Sequence, residues 1–361
     1  MISLLVFLAV LSLLILIHEW GHFIVARRSG VRVLRFSMGF GPVVWRRRRG
    51  GTEYALSAIP LGGYVKMAGE APEDGGTGGP DEFLAQSIGV RARIIAAGPL
   101  LNYLLALLAF ILVFWLGNPT LEPVVGRVMD RTPAQQAGLQ SKDRILAING
   151  RPVTSWDEMT ELVRHKTTGA VTVRVDRFGQ PLDYVILPEV KARKDIFGRV
   201  RQTRLLGIGP AGDLKLVRVD FWTAIGKGAR HTLKLTGMTL YSFWALLTGG
   251  VSVQESVTGP IGIFFITTDA ARLGAVYLIQ IIGVLSLSLA IFNVLPIPVL
   301  DGGHLFFLLC ERLRGRPVSL RIQERATQTG MAVLMVFVLF VCYNDIARYG
   351  IAGKVMTWLK R

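Results

Sequence analysis

Four stretches of this chain are long and apolar enough to need a bilayer rather than water: residues 2–25, 94–116, 275–295 and 326–346. A crossing takes about 20 apolar residues. In hydrocarbon every backbone amide and carbonyl must find its partner within its own segment, so each stretch is expected to be a helix. The fold class that follows is a polytopic α-helical membrane protein with four transmembrane helices. The chain is 51% hydrophobic and only 18% charged, which suits that class. Its net charge of +16 would also fit a nucleic-acid partner. The Lys and Arg residues, however, cluster beside the apolar runs, where topology accounts for them, so no nucleic acid is expected.

The first run has no basic residue before it and an Arg-rich segment after it. It therefore reads as a retained span rather than a cleaved signal peptide. Arg27, Arg28, Arg32, Arg35 and Arg46 to Arg49 follow span one. Arg312, Arg314, Arg316, Arg321 and Arg325 lie between spans three and four. Both loops are expected on the cytoplasmic side, which leaves the two termini and the long middle segment outside. Cys310 and Cys342 then fall near opposite faces and do not pair.

Span one carries the stretch HEWGH, residues 18–22. His18 and His22 are one helical turn apart on one face. That spacing suits two imidazole ligands to one zinc ion, with Glu19 between them as general base. A short pattern of this kind also arises by chance in buried helices. Ionisable groups within a span are costly, however, and usually serve a function. Helix rise puts His18 about 24 Å from Ile2, towards the cytoplasmic side of a core about 30 Å thick. Two histidines leave a tetrahedral zinc short of a third protein ligand. The candidate is Asp301 in NVLPIPVLDGGH, residues 293–304, at the same depth in span three. Pro296 and Pro298 break that helix, and Gly302 and Gly303 permit an unusual backbone. Taken by itself, Asp301 reads as a cap of the next helix; paired with HEWGH at the matching depth, it reads as the third ligand.

With these motifs the chain resembles the site-2 proteases, intramembrane zinc metalloproteases, of the RseP type. HEWGH and NVLPIPVLDGG resemble the family's paired signatures. GPLLNY (98–103), IPLGGYVKM (59–67) and TGPIGI (258–263) resemble its span-two motif, its membrane-embedded β-hairpin and its segment before span three. The resemblance implies one Zn2+ per chain held by His18, His22 and Asp301, with Glu19 as catalytic base. It implies that Asn293 and Pro296 help hold the substrate backbone, together with Gly62, Gly63 and Tyr64 in a hairpin around residues 54–67. Asn102 either lines the substrate site or makes an interhelical hydrogen bond. His304 is either a support to the ligands or a packed loop histidine.

The middle segment reads as a separate α+β domain. Alternation as in VTVRVDR marks strands, and a helix is expected near residues 156–164. PAQQAGLQSKDRILAINGRPV resembles a PDZ domain of bacterial proteases, present once, over 122–210. Such a domain would bind an exposed terminus by strand addition or exclude substrates with bulky outer domains. The chain thus divides into 1–121 (spans one and two with the hairpin), 122–210 (PDZ), 211–272 (interfacial helix region) and 273–361 (spans three and four). Residues 229–249 are apolar enough to suggest a fifth span, but a fifth crossing would separate Asp301 from His18. They are read as an amphipathic helix on the outer surface, with Lys227, Arg230 and Lys234 near headgroups and His231 interfacial. His165 is expected on the PDZ surface. Residues 69–80 are a Gly-rich acidic linker, and Ile351, Val355 and Trp358 in the tail are read as surface-lying.

The expected function is intramembrane cleavage of single-span membrane proteins in the bacterial cytoplasmic membrane. Substrates of the anti-sigma-factor type, already trimmed by another protease, and remnant signal peptides are the classes the resemblance implies. Two other classes are weighed. A catalytically silent PDZ adaptor with a structural metal site would have no need of Glu19. An ion-coupled transporter would be expected to show repeated halves, and the sequence has none.

Overall fold

The computed structural model describes residues 2–70, 78–165, 169–194, 200–252, 254 and 257–350. The tail residues Ile351, Val355 and Trp358, and most of the Gly-rich linker, lie outside them. In chain order the elements begin with α1 (Ile2–Arg28), β1 (Val33–Arg49), β2 (Thr52–Met67) and α2 (Ile88–Leu116). There follow β3 (Asn118–Leu121), β4 (Val125–Val128), α3 (Pro133–Gln136), β5 (Arg144–Ile148), β6 (Arg151–Pro152) and α4 (Trp156–His165). Then come β7 (Val171–Arg177), β8 (Gln180–Ile186), β9 (Glu189–Lys194), β10 (Val200–Leu205), β11 (Ile208–Pro210) and β12 (Leu214–Val217). The helices that follow among the described residues are α5 (Phe221–Leu247), α6 (Pro260–Leu273), α7 (Ala275–Val294), α8 (Asp301–Arg314) and α9 (Leu320–Arg348). Among the described residues four helices are long and apolar enough to cross a membrane: α1, α2, α7 and α9. These are the four expected runs; α1, α2 and α9 extend into their polar flanks. Helix α7 stops where Leu295 turns extended, immediately before Pro296.

The described residues within 1–113, 224–244 and 252–361 form one compact unit. Its β-structure is larger than the hairpin expected over 54–67. The reverse turn is at Gly50 and Gly51, both with positive φ, and β1 and β2 each bend midway. Arg35 to Met38 stand opposite Lys66 to Gly63 on one side and alongside Glu53 to Leu56 on the other. The outer half of β1, residues 43–49, pairs with residues 52–57. Gly62 and Gly63 lie inside β2, where it folds back from the stretch beside Glu53 to Leu56 to the stretch running from Gly63 to Met67. At Gly62, with φ +128°, a side chain would collide with the Phe40 ring. Turn residues can be read from sequence, but which of several Gly pairs makes the reversal depends on register. Phe23, Phe36, Val65 and Ile94 belong to one buried cluster that ties the sheet to α1 and α2.

Helix α5 is present, but it does not lie across the helix ends as expected. It runs antiparallel beside α2. Gly228 approaches Ile111, the His231 ring meets Phe110 edge-on at 4.8 Å, and Thr236 Oγ1 lies 3.1 Å from Tyr103 Oη. Further along, Phe243 meets Phe292 of α7 at 6.2 Å. Lys227, Arg230 and Lys234 are on its exposed face. An amphipathic pattern shows that one face is covered but not what covers it; here α2 and α7 pack against it.

The end of α9 clamps the start of α6. Asp345, fully buried, accepts hydrogen bonds from the amides of Gly262 (2.8 Å) and Gly259 (3.3 Å). Asn344 Nδ2 donates to the Gln254 carbonyl, and Tyr349 stacks on Phe265. Asp345 thus supplies from another helix the acceptor that the first amides of α6 need.

Residues 114–223, with 245–251, form the second unit. Its four-stranded antiparallel sheet has the order β6-β5-β7-β8. Val171, Val173 and Val175 point inward and are fully buried, while Thr172 and Arg174 point outward, as the alternation in VTVRVDR requires. Ile145, Ile148, Met159 and Val163 complete this core, the last two from α4. Arg177 grips the buried Asp143 with two hydrogen bonds of 2.7 Å each, which fixes the loop before β5. Strand β11 pairs only with β4 among the described residues.

Replacing Asp345 by Leu strands two buried amides, each worth about 1–3 kcal/mol. The expected result is a lowered melting temperature of the detergent-solubilised protein. Asp345→Asn keeps an acceptor and is expected to lose less.

Candidate metal centre

Helix α1 presents His18 and His22 on one face, as their four-residue spacing dictates, and both are 9% exposed. Asp301 arrives from the first residue of α8. The helix cap is Leu300, so Asp301 is not the cap. Gly302 and Gly303 make this possible: a Cβ on either would lie within 2.3 Å of the carbonyl oxygen of Leu295 or Ile297. The loop through Pro296 and Pro298 can therefore fold back tightly beneath the helix start.

The three side chains converge. His18 Nε2 and His22 Nε2 are 3.2 Å apart, and they lie 3.0 and 3.6 Å from Asp301 Oδ2. Zinc bonds of about 2.0–2.1 Å at tetrahedral angles require ligand atoms about 3.3 Å apart. Asp301 Oδ2 is buried and makes no well-formed hydrogen bond among the described residues. This donor set, two imidazole nitrogens and one carboxylate oxygen, fits a zinc ion with one position left open. Among the described residues it is the one cluster of its kind.

Helix α2 forms the back wall. His22 Nδ1 lies 2.9 Å from the Ile94 carbonyl, which accepts its proton and leaves Nε2 for the site. Gly98 has no room for a side chain: a Cβ there would lie 2.3 Å from His22 Nε2 and 2.9 Å from His18 Cε1. Gly21, between the two histidines, meets the α2 backbone directly, since its Cβ would lie 2.3 Å from the Ala97 carbonyl oxygen. A half-buried ion pair between Arg91 of α2 and Glu311 of α8 ties together the helices that support His22 and Asp301. Sequence reading missed Ile94, Gly21 and the Arg91–Glu311 pair. A backbone carbonyl has no sequence signature, and Gly21 sits at a position the pattern leaves free.

The other expected site residues fall into two groups. Glu19 faces β2, where a Cβ on Gly63 would lie 3.4 Å from Glu19 Cγ. Gly63 and its neighbours up to Met67 pair with β1 on one side and have no strand on the other among the described residues. Tyr64 is held by the rest of the sheet: Arg35 donates to its hydroxyl at 3.1 Å and Phe40 stacks on its ring. Asn293 is half-buried in the last turn of α7, and Pro296 is exposed just beyond it. His304 is exposed one turn into α8. Asn102 is fully buried, with Nδ2 3.3 Å from His18 Nδ1.

The tight contact at Gly98 makes a sharp prediction. Gly98→Ala pushes a methyl into both imidazoles, so the purified protein is expected to lose most of its bound zinc by elemental analysis. Gly89→Ala, in open space on the same helix, is expected to keep it.

Comparison with known proteins agrees with this geometry. The sequence profile of Peptidase family M50 matches residues 6–337. A protein of Rhizobium meliloti named "Putative zinc metalloprotease" is 36% identical, with 94% of this chain and 95% of the relative covered. The Regulator of sigma-E protease RseP of Escherichia coli is 31% identical over 448 aligned positions, covering 95% of this chain and 98% of its own. Protease RseP of Yersinia pestis is 30% identical, covering 96% of this chain and 98% of its own. This chain therefore belongs to peptidase family M50, the site-2 proteases, and is a zinc metalloprotease.

Proposed function

We propose that the protein is an intramembrane endopeptidase whose zinc is held, one ion per chain, by His18, His22 and Asp301, with Glu19 as catalytic base. The observation that carries this is the convergence of those three ligand atoms beside Glu19 on a helix apolar enough to cross a membrane. Zinc bound there supplies Lewis acidity, making water nucleophilic near neutral pH and polarising the scissile carbonyl. Glu19 takes the proton of the attacking water and hands it to the departing amine. Asn293 and Pro296, where α7 ends, border the scissile segment and hold its backbone.

The substrates are single-span membrane proteins, already shortened by another protease, and remnant signal peptides. A helical substrate hides its carbonyls in its own hydrogen bonds and must open before cleavage. The edge of β2 from Gly63 to Met67 receives the opened strand by β-addition, which aligns it past Glu19. The sheet follows α1 in a way that supports this. Its turn at Gly50 is beside Arg27, while Pro60 accepts a hydrogen bond from Ser12 at 3.0 Å. Fifteen helical residues separate those points, about 22 Å along α1. If α1 crosses the bilayer, the sheet enters it, and open backbone at that depth is tolerated where it lines a working site.

The second unit acts as one PDZ-like domain, and the free edge of β11 takes a trimmed substrate terminus by strand addition. The alignment to the Escherichia coli relative runs longer than this chain, which supports a stretch present there and missing here. The enzyme sits in the bacterial cytoplasmic membrane, with that domain and both termini outside and the metal centre towards the cytoplasm. A silent adaptor is the weaker reading, because a structural zinc site needs neither an open position nor an adjacent glutamate.

The test is cleavage of a one-span substrate by the purified protein in detergent. Glu19→Gln is expected to lower the rate by about 10²–10⁴-fold, the usual worth of a general base, with zinc content unchanged. Equal cleavage by the variant would move the activity elsewhere. In a second experiment, chelation is expected to abolish cleavage, and stoichiometric zinc to restore it.

A further inference from the structure

We infer that Asn102 is a positioning residue for His18, and that it offers His18 the amide oxygen, not the amide nitrogen. The inference rests on the zinc reading above and assigns Asn102 a role other than contact with substrate.

The argument begins with the imidazoles. Both Nε2 atoms face Asp301, so both carry a lone pair there when the site holds its metal. A neutral imidazole with a free Nε2 lone pair has its proton on Nδ1. Each Nδ1–H then needs an acceptor, because it is buried. For His22 that acceptor is the Ile94 carbonyl at 2.9 Å. For His18 the neighbouring group is the Asn102 amide, with Nδ2 at 3.3 Å. An N–H facing an NH2 group sets two donors against each other. In the same arrangement Asn102 Oδ1 is buried without a partner. Oxygen and nitrogen of a side-chain amide are assigned from their hydrogen bonds. Turning the amide over places Oδ1 on the His18 Nδ1–H and removes both faults.

The location excludes an exposed role. Asn102 is 0% exposed, so a substrate strand does not reach it in this arrangement. The backbone at this turn is pinned as well: Ser286 of α7 donates its hydroxyl to the Asn102 carbonyl at 2.8 Å. Ile94, Gly98 and Asn102 follow one another at four-residue spacing, which puts them on one face of α2. One receives the His22 proton, the next makes room for both rings, and the third receives the His18 proton. An acceptor behind a ligating histidine fixes its tautomer and raises its basicity, and its loss typically costs 10–100-fold in metal affinity.

The experiment compares full-length wild type, Asn102→Asp and Asn102→Leu in detergent, reading zinc affinity by competition with a chromogenic chelator. Asn102→Leu is expected to bind zinc about 10–100-fold more weakly. Asn102→Asp keeps an acceptor on Nδ1–H and is expected to stay within a few fold of wild type. Cobalt substituted into wild type and Asn102→Asp is expected to give the same visible spectrum. Wild-type zinc affinity in Asn102→Leu together with a raised KM would overturn the inference in favour of substrate contact. Equal zinc loss in both variants, with equally lowered apo melting temperatures, would overturn it in favour of mere packing. A wild type that binds no zinc would instead sink the metal centre itself.

Discussion

The arrangement depends first on the backbone contact between α1 and α2. Gly21 lets α1 press against the carbonyl of Ala97, and Gly98 lets α2 press against the two imidazoles. Nothing larger than hydrogen fits at either point. Without this approach His22 would not reach the Ile94 carbonyl, and His18 would not reach Asn102. Small residues are the usual means by which helices in lipid come close enough to share polar contacts. Here the contact also shapes the candidate metal site, because the Ile94 carbonyl of the wall it builds accepts a hydrogen bond from His22.

The remaining elements complete the site from other directions. The loop from Pro296 to Leu300 brings Asp301 to the two histidines, with Gly302 and Gly303 folded over the preceding carbonyls. The Arg91–Glu311 pair secures the far part of α8 to α2. The β1–β2 sheet brings an open strand edge past Glu19, and Arg35 and Phe40 hold Tyr64 inside the sheet. Asp345 fastens α6 to α9, and Phe264 of α6 rests edge-on against Phe7 of α1. A chain of direct contacts therefore runs from α9 through α6 to the helix that carries the histidines.

What could be read from the sequence was local or set by depth. The spacing of His18 and His22 fixes their shared face whatever surrounds them. Asp301 could be paired with them because span length places both near one level of a bilayer. The valines of VTVRVDR announced their inward face by alternation. The reversal at Gly50 and Gly51 was not legible, because β1 and β2 contain several glycines and register selects among them. The course of α5 was not legible either. Its apolar face matched a surface helix, yet Phe110, Tyr103 and Phe292 cover it.

By itself, then, the sequence determined the four apolar helices, the two histidines one turn apart with Glu19 between them, and the paired glycines after Asp301. Helical and strand periodicity and the cost of polar groups in lipid act over a few residues, so no distant partner is needed to read them. Only the tertiary structure decided that Ile94, Gly98 and Asn102 back the site, that Gly63 lies beside Glu19, and that α5 runs along α2. Each of those facts is a contact between residues tens to hundreds of positions apart. Such contacts are set by which surfaces pack most closely, and a sequence pattern records only that a face is covered.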